Sequence, residues 1–187
     1  MKMGLADRVK EAVDKMNLGE PVNALIQVCI AVDATAGKEY PKTKVGERNK
    51  KFLRNNQAFL TRVAFGKLEV GGDILLQFED ENGKRETKKL EEVLYDLVRC
   101  VLLHEGELSE RVMITPKLEF GFSKDRKFLL SAGLIWGMLL AVIGSPVNSI
   151  ERVPNHYWIS VGGQQLPLNE LWGKREEILL LARKHNS

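Results

Sequence analysis

The sequence predicts a mainly α fold of the α+β class, in which a helical bundle carries one or two β hairpins. Apolar residues recur every third or fourth position through most of the chain, which is the spacing of amphipathic helices. Two stretches, near residues 74–87 and 156–163, alternate between apolar and polar residues and include an Asn-Gly or a Gly-Gly pair. Such pairs between alternating segments are typical of hairpins.

Composition indicates an ordinary globular chain. The 187 residues are 44% hydrophobic and 28% charged, which favours one domain, residues 1–187, with its own core. The net charge of +3 permits a nucleic-acid partner without requiring one. The N-terminus shows no apolar signal segment, and both cysteines, Cys29 and Cys100, lie in apolar helical patterns. We therefore expect free buried thiols and a cytoplasmic protein.

The first two predicted helices form one side of the bundle. Residues 4–17 have an apolar stripe that ends at Gly19, and a second helix covers residues 22–36 after Pro21. The second helix is apolar nearly all round, so we expect it at the centre of the bundle. Its lone acid, Asp33, is expected to bond to backbone or to a neighbouring arginine.

A basic stretch follows at residues 37–54. Gly37, Pro41 and Gly46 predict a loop, and a helix is expected from about Glu47 to Phe65. Cations next to aromatic rings suit a phosphate backbone with stacked bases. The candidate nucleic-acid contacts are Lys42, Lys44, Arg48, Lys50 and Lys51. The alternative is a solvated loop and helix surface.

A hairpin is expected next, with a strand at residues 74–78, a turn at residues 80–83 and a return strand at residues 84–87. It leads into a strongly amphipathic helix, residues 90–108, in which Gly106 is expected to act as the stop signal. A second β segment, residues 112–122, places its apolar side chains on one parity.

Residues 128–150 contain no charge, so a transmembrane helix and a buried core helix are both open. We favour the buried helix, because Gly144 and Pro146 would end it early and polar amphipathic elements surround it. We expect a C-terminal hairpin that turns at Gly162 and a last helix that is capped near Asn169. Together these elements, residues 153–185, would pack on a helical core of about residues 1–145.

The helix over residues 90–108 carries the most suggestive chemistry. Arg99 is followed five positions later by His104, beside Glu105 and before a helix-ending glycine. This segment resembles the R-x(4-6)-H motif of the HEPN superfamily, helical domains that include many ribonuclease toxins. Cys100 stands where that family often has a polar residue.

The resemblance implies a homodimeric, metal-independent endoribonuclease of toxin or defence type. Arg99 would hold the scissile phosphate and His104 would act as acid or base, with Tyr95, Asp96 and Glu105 in support. Five residues of an ideal helix turn through a net ~140°, so the two side chains would not share a face, and His104 would lie near the apolar stripe. In the purely structural interpretation, His104 is an imidazole at the edge of the core that is hydrogen-bonded to backbone, and Arg99 is a surface partner of Asp96 or Tyr95.

The alternative function is a non-catalytic dimeric interaction or RNA-binding module on the same scaffold, which Cys100 favours. RNA and an antitoxin or other partner protein are the expected partners, and no membrane, metal or cofactor is expected. No second histidine stands at ligand spacing to His104, and no P-loop, dinucleotide fingerprint or Gly-x-Ser-x-Gly elbow is present.

Overall fold

The computed structural model describes residues 3–66, 68–79 and 84–184. Its class is the predicted one, mainly α with small sheets. The first four helices are α1 (Leu5–Asn17), α2 (Pro21–Glu39), α3 (Val45–Asn55) and α4 (Gln57–Phe65). Helix α2 packs against α1, α3 and α7 (Ala132–Gly144), so its nearly all-round apolar surface takes the central place that the sequence predicts.

The single helix expected over residues 47–65 is wrong, because the helix is interrupted between α3 and α4. Asn56 lies outside helical geometry, at φ −102° and ψ 6°. Its side-chain nitrogen donates to the carbonyl oxygen of Phe52 at 2.8 Å. A short amide that bonds its own backbone competes with helix continuation, which accounts for the bend.

The motif helix has three consecutive parts. These are α5 (Leu90–Val93), a π-helical segment (Leu94–Cys100) and α6 (Val101–Glu105). Gly106 follows in the left-handed region at φ 76°, so the predicted glycine stop is confirmed. π-Helical turns are rare and cluster at functional sites. Here the π segment includes Tyr95, Asp96 and Arg99.

Strands β1 (Leu75–Glu79) and β2 (Arg85–Lys89) pair antiparallel and confirm the first hairpin, whose turn at residues 80–83 lies outside the described residues. A second sheet has the order β3 (Val112–Thr115), β5 (Phe128–Ser131), β4 (Gly121–Phe122), with β3 and β5 parallel. The helix expected from residue 128 is therefore wrong over its first four residues. Residues 128–131 form strand β5, which pairs with the earlier strand β3.

The charge-free segment continues as α7, a buried helix that ends at Gly144 as predicted. No helix in the described part of the chain is long and apolar enough to cross a membrane. Helix α7 lies so close to α4 that a side chain at two of its glycines would clash. A Cβ on Gly133 would stand 2.7 Å from the carbonyl oxygen of Ala64, and a Cβ on Gly137 would stand 2.9 Å from the carbonyl oxygen of Leu60. The small residues serve this helix–helix approach.

The C-terminal part confirms the second hairpin, β6 (Trp158–Val161) with β7 (Gln164–Pro167). The last helix is α8 (Arg175–Lys184), which begins later than expected. The predicted cap role of Asn169 is wrong, because its side chain bonds both the N–H and the carbonyl of Val153 and so fixes the loop before β6. One cluster of buried apolar side chains extends from α1 to α8.

Candidate functional site

Arg99 is fixed by an acid on the central helix. Its Nε donates to Asp33 Oδ2 at 3.1 Å and to Oδ1 at 3.3 Å, and Nη2 also donates to Oδ2. Asn49 on α3 donates its side-chain N–H to the same carboxylate. The side chains of Arg99 and Asp33 are only 16% and 18% exposed, so the pair is largely removed from water. The expectation that Asp33 bonds an arginine is confirmed.

Tyr95 supports the arginine from its own helix. The guanidinium carbon of Arg99 lies 5.4 Å from the centre of the Tyr95 ring, within cation–π range. Lys50 Nζ lies 5.1 Å from the same ring and 3.3 Å from Asp96 Oδ1. A Cβ on Gly46 would stand 3.1 Å from the Tyr95 hydroxyl oxygen, so the glycine lets the start of α3 approach the ring. Tyr95 and Asp96 thus join α3 to the π segment.

The electrostatics of this cluster favour a permanent cation. Hydrogen bonding to the Asp33 carboxylate, which outweighs the cost of burial, raises the pKa of Arg99. Burial raises the pKa of Tyr95, so its phenol stays protonated near neutral pH. Burial also raises the pKa of the Cys29 thiol to about 12. Cys29 lines a narrow cavity together with Arg99 and Asn49, and its thiol is uncharged there.

His104 lies apart from this cluster. It is exposed in the last turn of α6, next to exposed Glu105. Among the described residues no hydrogen bond or ion pair joins His104 to Arg99 or to backbone. The purely structural expectation, an imidazole at the edge of the core that is bonded to backbone, is therefore wrong. A π segment rotates the residues after it relative to an ideal α-helix, which moves His104 off the apolar stripe.

The predicted basic contacts divide into two groups. Lys42, Lys44 and Lys51 are exposed, and Lys51 Nζ lies 4.5 Å from the centre of the Tyr40 ring. Lys50 is instead paired with Asp96. Arg48 is half-buried against Gly37, where an added Cβ would stand 3.3 Å from its Cζ. The exposed three are the ones available to a phosphate backbone.

Sequence reasoning missed Asn49 as part of the site. It is buried and polar, and it was hidden within a run of charges. The signal for the cluster was Asp33 itself, because an acid on an apolar helix needs partners when it is buried. In the described ranges no group of three or more His, Cys, Asp or Glu side chains could hold a metal ion.

Comparison with known proteins gives a family and no activity. The model of the family described as Rv1289 matches residues 4–187. The relatives that are similar to this chain include uncharacterized protein Rv1289 of Mycobacterium tuberculosis and uncharacterized protein Mb1320 of Mycobacterium bovis. Each is 26% identical over 160 residues, which cover 80% of this chain and 74% of the relative. No solved structure matches the chain.

Proposed function

The chain belongs to the Rv1289 family, and we propose that it is a metal-independent endoribonuclease of toxin or defence type that acts as a homodimer. The support comes from the side chains of the R-x(4-6)-H segment and from the resemblance of that segment to HEPN ribonucleases.

The orientation of Arg99 is the observation that carries the proposal. A guanidinium has two edges that can each make a bidentate contact, and Asp33 occupies the edge formed by Nε and Nη2. We propose that the other edge, formed by Nη1 and the second N–H of Nη2, contacts the phosphate. An arginine that is held and stacked in advance loses little freedom on binding, which suits stabilisation of a charged transition state.

His104 supplies the proton chemistry in this scheme. As a neutral imidazole it takes the proton of an RNA 2′-hydroxyl, and the 2′-oxygen forms a bond to phosphorus. The bond from phosphorus to the 5′-oxygen breaks, and that oxygen takes a proton from the imidazolium. The products are a 2′,3′-cyclic phosphate and a 5′-hydroxyl end. Arg99 stabilises the added negative charge on the phosphoryl oxygens.

A second copy of the chain completes the site. Arg99 is held toward α2 and α3, whereas His104 is exposed at the end of α6. We therefore place Arg99 of one chain opposite His104 of the other, which is how a two-fold dimer would bring separated groups of one helix together. Lys42, Lys44 and Lys51 would bind the flanking RNA backbone.

The test is RNA cleavage by the purified protein in EDTA, beside Arg99→Lys, His104→Ala and the control His156→Ala. His156 is an exposed histidine in the loop before β6, so its loss removes an imidazole without touching the motif. We expect the native chain and His156→Ala to cut and leave cyclic phosphate ends, and the other two variants to be inactive. Equal cutting by all four proteins, or by none, would overturn the assignment.

The second candidate is a non-catalytic dimeric RNA-binding or interaction module. It is favoured by the ion pair with Asp33, which satisfies Arg99 within the chain, and by Cys100 at the position where HEPN enzymes often have a polar residue. RNA binding with no cleavage by the native chain, unchanged in Arg99→Lys, is the result that selects it.

A further inference from the structure

We propose that a cleft beside the C-terminal hairpin binds a small molecule that joins an aromatic ring to an anionic group. The cleft has a volume of about 670 Å³ and lies between the end of α4, one side of α7 and the β6–β7 hairpin. Its size is within the range of small-molecule sites, ~300–1,000 Å³. It shares no lining residue with the motif of Arg99, so this proposal is independent of the proposed function.

The aromatic part of the ligand follows from two tryptophans. Trp136 on α7 is half-buried and Trp158 on β6 is 53% exposed, and both line the cleft. Phe65, a third aromatic in the lining, already stacks on Phe120 with ring centres 5.0 Å apart. Neither indole stacks on another aromatic ring within the described residues. A large exposed indole at the edge of a cavity is a ready surface for a planar ring.

The anionic part follows from the charge of the cleft. Arg62 is the only charged side chain among the described residues that line it. Its Nη2 donates to the carbonyl oxygen of Arg183 at 3.0 Å, while its Nε is buried and has no hydrogen-bond partner. The nearby acid Glu69 is taken by Arg183, whose Nε donates to it at 3.0 Å. Among the described residues Arg62 therefore forms no direct ion pair with a carboxylate, although Glu69, whose pKa is lowered mainly by its hydrogen bond with Arg183, also interacts with Arg62 at longer range.

The remaining lining is neutral and polar, which suits orientation of a ligand by hydrogen bonds. Ser160 and Gln165 on the hairpin are exposed and line the cleft. Gly162 and Gly163 form the hairpin turn with positive φ values of 53° and 75°, so the backbone of the turn meets the cleft with no side chain in between. A nucleoside monophosphate and an aromatic carboxylate both have the chemistry that this lining recognises.

The experiment is calorimetric titration of the whole chain with adenosine monophosphate and, separately, with indole-3-acetate. Adenosine tests the ring without the anion, and inorganic phosphate tests the anion without the ring. We expect one or both ring-bearing anions to bind and the two partial probes to bind at least about tenfold more weakly. The two arms identify the source of the ligand, and saturation by either supports the site.

The variants are Trp158→Ala, Arg62→Gln and the control Arg152→Gln, each checked for native circular dichroism. Trp158 is exposed on a hairpin, so its removal leaves the core intact, and Arg152 is exposed outside the cleft. Trp158→Ala and Arg62→Gln should each weaken binding about tenfold, and the control should bind like the native chain. The proposal is overturned by no binding of either ring-bearing anion at about 1 mM, by equal binding of phosphate, or by unchanged binding to Trp158→Ala.

Discussion

Breaking the pair of Asp33 and Arg99 should destabilise the fold in a strongly coupled way. Measured exposed ion pairs contribute about 0.2–1 kcal/mol, whereas removing one partner of a fully buried pair costs about 3–5 kcal/mol. At 16% and 18% exposure, with two donor nitrogens on one carboxylate, this pair lies between those limits but nearer the buried one. We expect Asp33→Ala and Arg99→Ala each to lower the free energy of unfolding by about 2–3 kcal/mol.

The double variant should cost much less than the sum of the two, with a coupling energy of about 2 kcal/mol, because the second substitution removes a group that has already lost its charged partner. Urea denaturation followed by circular dichroism measures all four proteins. The pair of Glu69 and Arg183, with side chains 31% and 44% exposed, is the matched control and should show a smaller coupling. A coupling below about 0.5 kcal/mol for Asp33 and Arg99 would refute the view that Asp33 fixes the arginine.

Three further predictions concern other parts of the chain. Gly137→Ala should destabilise the fold by about 1–3 kcal/mol in urea titration, because the new methyl group would stand 2.9 Å from a carbonyl oxygen of α4, whereas Gly71→Ala, with no atom within 4 Å, should be nearly neutral. Burial raises the pKa of Cys29 to about 12, so in a Cys100→Ser variant its thiolate fraction should be about one in ten thousand at pH 8, and it should resist a thiol reagent until the chain is unfolded. The substitution is needed because Cys100 is free and only partly buried, and rapid labelling of that native variant would contradict the burial of Cys29. Lys42→Gln should reduce the slope of log affinity against log salt for single-stranded RNA by about 0.7, and Lys124→Gln, in the turn before β5, should leave the slope unchanged.

Local patterns were sufficient for the elements that depend on their own residues. The stripe of α1, the all-round apolar surface of α2 and the hairpin of β1 and β2 were all predictable, because helix and strand periods differ and turn residues are specific. Strand β5 was missed, since its pairing with β3 is set across a connection and its apolar run reads equally well as helix.

The candidate site was predictable in part. The motif residues were found by their spacing, but the π segment was not, because a helix that widens its hydrogen-bond ladder leaves no clear trace in apolar periodicity. The partner of Arg99 was a half-buried acid 66 residues earlier in the chain, and only the packing of α2 on the motif helix brings the two together. A single charged residue on an otherwise apolar helix, such as Asp33, therefore indicates a site even where the sequence does not identify its partner.

Complementation between two inactive variants tests the central claim most directly. Arg99→Lys and His104→Ala protein would be mixed, allowed to exchange subunits and assayed for RNA cleavage in EDTA. If each site takes Arg99 from one chain and His104 from the other, mixed dimers contain one intact site, and equal mixing should restore roughly one quarter of native activity. A mixture that stays inactive after exchange, while the native chain cuts, would contradict a site shared between two chains.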